Sequence, residues 1–398
     1  MNNNTASDDS MLREPSDFSL VLGGPLYQLW LRCGLVRPPM DLLKRRIIFI
    51  SLIAWLPLLA LSLIGGDTTG VSDTFLRDLE THVRLLVALP CLIGAELVVH
   101  QRLRSAVKQF IERGIVGPDE LPRFNAAIQS AMRLRNSMVL EGGLLVFVYT
   151  VGHWIWRTHI ALDQTTWYAV AGDSGLHLTR AGWWNAFVSV PIFQFILLRW
   201  CLRLVLWWQL LWRVSRLNLR LMPTHPDRAG GIGFLGNSTY AFLPILFAEG
   251  SMLAALIASR IFYDGAHLTE FKTDIFFTVL FLVATILAPV LMFLPVLIRT
   301  KLQGRREYGF LANRYAQEFD EKWVRNPAAG DPLMGSADIQ SLADMANSYA
   351  VVQSMRPVPF SWETVTHLTI VTVAPILPLL LTMMPLEKIV DHLIKTLF

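Results

Sequence analysis

The sequence predicts an all-α fold, a polytopic membrane helix bundle of about seven transmembrane helices with amphipathic helices on the cytoplasmic side. Three observations predict it. The 398-residue chain is 53% hydrophobic and only 17% charged, where a soluble domain carries about 25% charged residues. Its apolar residues gather in runs of roughly 20, long enough at 1.5 Å per residue to cross a hydrocarbon core of about 30 Å. Lys and Arg alternate in number between the segments that join those runs.

The runs lie at 47–65, 85–100, 138–156, 184–208, 239–260, 275–298 and 364–384. The second is the shortest and spans only if it continues into the basic stretch after His100. Segments 1–46, 100–137, 213–237 and 299–360 hold 6, 7, 4 and 8 Lys and Arg residues, whereas 66–84, 157–182, 260–274 and 385–398 hold 2 each. By the positive-inside rule this alternation places the N-terminus in the cytoplasm and the C-terminus outside an inner (plasma) membrane. The formal charge of +4 is thus distributed by membrane side, and nucleic acid is not an expected partner. The expected partners are the lipid bilayer, anionic headgroups on its cytoplasmic face, and further copies of the chain in a homo-oligomer. Four divisions follow: 1–46, an N-terminal segment; 47–298, six spans with a helical loop at 100–137 and a glycine-rich loop at 222–237; 299–360, a cytoplasmic helical segment; and 361–398, the seventh span and a short external tail.

In chain order, the polar first dozen residues read as disorder. No basic region followed by an apolar one marks a cleavable signal, so the first span is expected to act as its own insertion signal. The stretch FSLVLGGPLYQLWLRCGLV can lie along the membrane surface. The fourth span is bracketed by Trp183 and Trp184 at one end and Trp207, Trp208 and Trp212 at the other, as interfacial belts are. Inside it, Arg199 and Arg203 share one face. Arg203 is expected to snorkel to the headgroups, while Arg199, about 12 Å from the inner belt, needs a partner or water. Three acids are candidates: Glu96 and Glu141 near the inner side, and Glu249 at the midpoint of the fifth span. A charge at that depth costs about 2.5–3.5 kcal/mol. Glu249 is therefore expected to face a polar cavity, with Arg199 as its counter-charge and Pro244 freeing a carbonyl nearby. Residues 305–325 carry a helical stripe of Tyr308, Leu311, Tyr315, Phe319 and Trp323. A second helix, capped by Ser336, carries Ile339, Leu342, Ala346, Tyr349 and Val352 and stops at Arg356-Pro357-Val358-Pro359.

The most unusual connection is MPTHPDRAGGIGFLGNS, 222–238. Its prolines and glycines forbid a regular helix. His225, Asp227, Arg228, Gly230 and Gly231 form a candidate gate or ligand loop, in which Asp227 caps a turn and Arg228 with free backbone N–H groups holds an anion. Gly231, Gly233 and Gly236 match a dinucleotide spacing, but the loop joins two membrane helices rather than opening a βαβ unit, which excludes that reading. Cys33, Cys91 and Cys201 show no pairing or metal spacing. No catalytic residues, cofactor or metal are expected, and the sequence carries no hydrolase, zincin or P-loop motif. HPDRAGG and DIQSLAD resemble signatures of a bacterial inner-membrane protein family, a resemblance that assigns no residue a role. Pro57, Pro90, Pro191, Pro244, Pro289, Pro295, Pro375 and Pro378 give six of the seven spans a potential kink, and with Glu249, Arg199 and the glycine-rich loop they point to a channel or transporter for an ion or small charged solute. The alternative is a non-transporting scaffold, sensor or assembly partner acting through its cytoplasmic helices.

Overall fold

The computed structural model describes residues 18–32, 34, 42–65, 75–155, 167–172, 175–326 and 337–383. The polar first dozen residues, the Ser336 cap and the external tail lie outside them. Seven helices among the described residues are long and apolar enough to cross a membrane, and the chain is a multi-pass all-α bundle.

A short helix α1 (Pro25–Arg32) precedes the first span, α2 (Leu43–Gly65). The second, α3 (Leu79–Glu112), runs well past His100. Helix α4 (Leu121–Arg135) crosses the end of the bundle before the third span, α5 (Met138–Ile155). A small hairpin, β1 (Ala169–Gly172) against β2 (Gly175–Leu178), covers the opposite end. The remaining spans are α6 (Arg180–Val214), α7 (Phe234–Asp264), α8 (Leu268–Leu291) and α11 (Trp362–Thr382). Between the last two, α9 (Leu294–Phe319) and α10 (Ala337–Ser354) pack side by side. The end that carries α4, the 214–233 loop and α9–α10 is called the basic end below.

Prolines decide several local shapes. A proline in a helix leaves the carbonyl four residues earlier without its donor. Pro90 and Pro191 each follow a five-residue π-turn, Arg84–Ala88 and Asn185–Ser189, that loosens the ladder at that carbonyl. The carbonyl of Phe187, four before Pro191, accepts from the Tyr149 hydroxyl at 3.0 Å. Pro244 instead sits in the first turn of the segment starting at Leu243, after a 3₁₀ turn at Thr239–Phe242. There its missing N–H costs nothing, and it does not open the middle of the span. Pro295 likewise starts α9, so the sixth span ends at Leu291, and residues 294–298 belong with the helix that follows.

Helix α7 lies at the centre, against α3 and α11. Its contact with α11 depends on Gly250, because a Cβ there would stand 2.1 Å from the Thr372 carbonyl oxygen. A small residue lets two helix backbones approach in lipid, where packing and interhelical hydrogen bonds drive association. Buried side chains supply such bonds. Trp200 Nε1 donates to the Leu92 carbonyl at 2.9 Å, and Ser189 Oγ donates to that of Ala54 at 2.6 Å.

Candidate functional site

The two arginines of the fourth span meet their partners near the basic end. Arg203 Nη2 lies 2.7 Å from Glu96 Oε1, and Arg199 lies 3.7 Å from Glu96 and 3.1 Å from Glu141. A third cation, Arg46 at the start of α2, binds the other Glu96 oxygen at 2.5 Å. All five side chains are buried. Four of the five residues expected to form an intramembrane polar site (Glu96, Glu141, Arg199 and Arg203) are thus brought together, and Arg203 does not snorkel. It is buried because the Glu96 carboxylate on α3 faces it across the helix contact.

The chain before the first span closes this cluster. Leu26 N–H donates to Glu141 Oε2 at 2.8 Å, so α1 opens on that carboxylate. The turn into α1 needs Gly24, which sits at φ +92 with Glu141 Oε1 2.9 Å from where a Cβ would lie. Trp30 stacks under Arg46 at 4.4 Å and under Arg199 at 5.6 Å, contacts that gain strength when dry. At the flank, Arg135 Nη1 donates to the Ser19 carbonyl, and Ser19 Oγ meets His100 Nδ1 at 2.8 Å. Burial, and then the Arg203 charge, push the Arg135 guanidinium down to about 10. Sequence reasoning missed Arg46, Trp30 and Arg135. Arg46 was counted with the flanking charges of LKRR, although its place at the start of an apolar run was the available signal.

Glu249 stands apart. The expectation that Arg199 answers it fails, because Arg199 is taken by Glu96 and Glu141. Glu249 is partly buried, with Oε1 enclosed and without a hydrogen-bond partner. The residue before it, Ala248, is fully enclosed, and Phe247 is exposed on the outer face.

At the basic end the glycine-rich loop folds around one carboxylate. Asp227 Oδ1 accepts from Ala229 N at 2.8 Å and from Gly231 N at 3.1 Å, and Oδ2 accepts from Gly233 N at 2.9 Å. His225 Nδ1 lies 2.9 Å from Oδ1. Burial raises this carboxyl, but the three N–H donors and His225 outweigh it and hold Asp227 below its usual 3.8. The expected anion nest is therefore filled by the loop's own side chain. Arg228 takes φ +55 and is exposed, while Gly230 and Gly231 take φ +67 and +96, so the chain turns tightly enough to bring three N–H groups onto one acid.

That knot forms one wall of a cleft of about 690 Å³. The opposite wall is the extension of α3 beyond the apolar run, with Arg102, Ser105, Gln109 and Arg113; Arg356 and Phe360 close a third side. Arg356 ties the walls together. Its N–H donates to the Arg228 carbonyl at 2.6 Å and its Nη2 to the Asp227 carbonyl at 3.0 Å. The cleft was not visible in the sequence, since RPVP read only as a helix stop.

Comparison with protein-family models, with curated proteins and with solved structures found no match.

Proposed function

We propose that this chain is a non-transporting sensor or assembly partner of an inner (plasma) membrane, and that its basic end, with the N-terminus, faces the cytoplasm. The C-terminus is then external. The orientation rests on the alternation of Lys and Arg between spans. The reading against transport is supported by the arrangement of charge, since both arginines of the fourth span lie against carboxylates in one buried cluster. The working face is the polar cleft. It is joined to α9–α10, which projects with Phe310 73% and Leu302 59% exposed. Apolar surface of that kind suits a protein partner.

One observation carries the reading. Arg356 lies two residues after the end of α10 at Ser354 and bonds to two successive carbonyls of the cleft loop, so what occupies the cleft and how the helix pair is held are mechanically one question. The experiment reconstitutes the purified chain in liposomes and measures ion flux. In parallel, tryptic cleavage within α9–α10 is followed with and without a small-molecule extract of cells. The expected result is no flux above empty vesicles and a change in cleavage with extract. Flux abolished by Glu249→Gln would overturn the reading.

Transport is the second reading, and Glu249 favours it. A carboxylate oxygen enclosed at mid-span without a partner is what a proton-carrying or ion-coordinating step needs. The same flux assay decides between the two.

A further inference from the structure

Apart from Gln101, the residues of α3 and its C-cap Arg113 that line the cleft follow one helical stripe. Arg102, Ser105, Ala106, Gln109 and Arg113 fall at i, i+3, i+4, i+7 and i+11, positions that share a face. The two arginines at its ends are about 16 Å apart along the axis. Both are exposed, in contrast to the packed arginines of the spans. Arg113 lies 5.2 Å from the centre of the Phe234 ring, which steadies it beside the cleft. Across from this stripe, Arg356 is fixed through Nη2, while its Nε is buried and without a hydrogen-bond partner. Ser105, Ser361 and Thr364 add hydroxyls to the lining.

The one acid that lines the cleft is already answered. Each oxygen of Asp227 holds backbone N–H groups, so three guanidinium groups face a space whose single carboxylate is engaged elsewhere. Guanidinium forks with hydroxyl donors match a phosphoryl group, which offers three or more acceptor oxygens around one centre. A cleft of about 690 Å³ is in the range of sites that hold whole small molecules.

We infer that the cleft binds a phosphate-bearing ligand, with Arg102, Arg113 and Arg356 as its charged contacts. The inference rests on the proposal that the cleft is the working face, and it names the chemistry that face recognises. Two sources supply such a group: a soluble phosphorylated molecule, and the headgroup of an anionic phospholipid, since α3 leaves the membrane region just before Arg102.

The test holds the full chain in nanodiscs of phosphatidylcholine and titrates inorganic pyrophosphate, with succinate as the dicarboxylate control. Binding is read by isothermal calorimetry. Arg102→Gln and Arg113→Gln are exposed changes, and each is first shown to leave the thermal unfolding midpoint in place. Pyrophosphate is expected to bind with Kd below about 1 mM. At least one of the two substitutions should weaken it ~10-fold or more, the effect of losing one charge-assisted contact. Succinate should bind at least ~10-fold more weakly. A second arm uses nanodiscs containing phosphatidic acid. Loss of pyrophosphate binding there, restored by neither substitution, identifies the lipid as the source; unchanged binding identifies a soluble ligand. The inference is overturned if pyrophosphate fails to bind in phosphatidylcholine, if both substitutions leave it unchanged, or if succinate binds as well. If those results come while cell extract still alters cleavage of α9–α10, the phosphate assignment falls and the sensor reading stands. If reconstituted protein conducts, the sensor reading falls, whatever pyrophosphate does.

Discussion

Glu96→Gln is the substitution that most directly probes what holds the bundle together. Glu96 accepts Arg46 on one oxygen at 2.5 Å and Arg203 on the other at 2.7 Å, with Arg199 at 3.7 Å. Glutamine keeps the shape and one acceptor but removes the charge, leaving three buried arginines to Glu141 alone. Removing one partner of a buried ion pair costs about 3–5 kcal/mol, chiefly through the charge left behind. The retained acceptor puts Glu96→Gln near ~3 kcal/mol. The assay is reversible unfolding in mixed micelles, followed by tryptophan fluorescence. If the loss comes from stranded cations, then Arg46→Met in the Glu96→Gln background should recover at least ~1 kcal/mol relative to additivity. A loss under ~1 kcal/mol, or strict additivity of the pair, would refute the claim that this carboxylate organises the cluster.

Asp227→Asn should loosen the cleft loop by about 1.5–3 kcal/mol, since the hydrogen bonds lost are to a charged acceptor; faster tryptic cleavage after the exposed Arg228 is the readout. In the native protein that contribution is present at neutral pH and is lost as the pH falls below the usual aspartate value of 3.8, because the folded carboxyl titrates lower still. An acid-dependent loss of amide hydrogen-exchange protection at Ala229, Gly231 and Gly233 should therefore appear in the native chain and be absent from Asp227→Asn. Gly250→Ala drives a methyl group against the Thr372 carbonyl and should cost about 1–3 kcal/mol through overpacking, seen as a lowered unfolding midpoint. Trp30→Leu removes the ring that two arginines face; a loss of about 1–2 kcal/mol and easier proteolytic removal of the segment before α2 are expected.

Much of the architecture was legible because hydrophobicity and basic charge are written residue by residue. The seven spans and the extension of the second beyond His100 follow from run length alone. Span ends were harder. Pro295 begins a helix rather than kinking one, and nothing in LMFLPVLIRT separates those two uses of proline. In the site, depth along the helix singled out Arg199 as a buried group in need of a partner, with Glu96 and Glu141 among the acids that could answer it. The same reasoning sent Arg203 to the headgroups, whereas it is buried against Glu96. The pairing with Glu249 failed because depth says nothing about which faces meet, and packing puts α3 and α5 against Arg199. The Asp227 knot was half legible. HPDRAGG announced a turn and a capping aspartate, but the number of N–H groups that one carboxylate gathers depends on backbone angles at Arg228, Gly230 and Gly231 that no spacing rule supplies.

The ion cluster draws its members from four different spans, and this constrains how the chain is built. Arg46 and Glu96 come off the ribosome first, so the earliest pair can form between the first two hydrophobic segments. Glu141 follows, and for a time carboxylates outnumber their permanent partners. Arg199 and Arg203 then arrive in a segment that would be expensive to release into lipid unaided, but acceptors already await them. The acceptors for both arginines thus lie earlier in the chain than the arginines themselves, so a fourth segment that enters after the first three would meet carboxylates already in place.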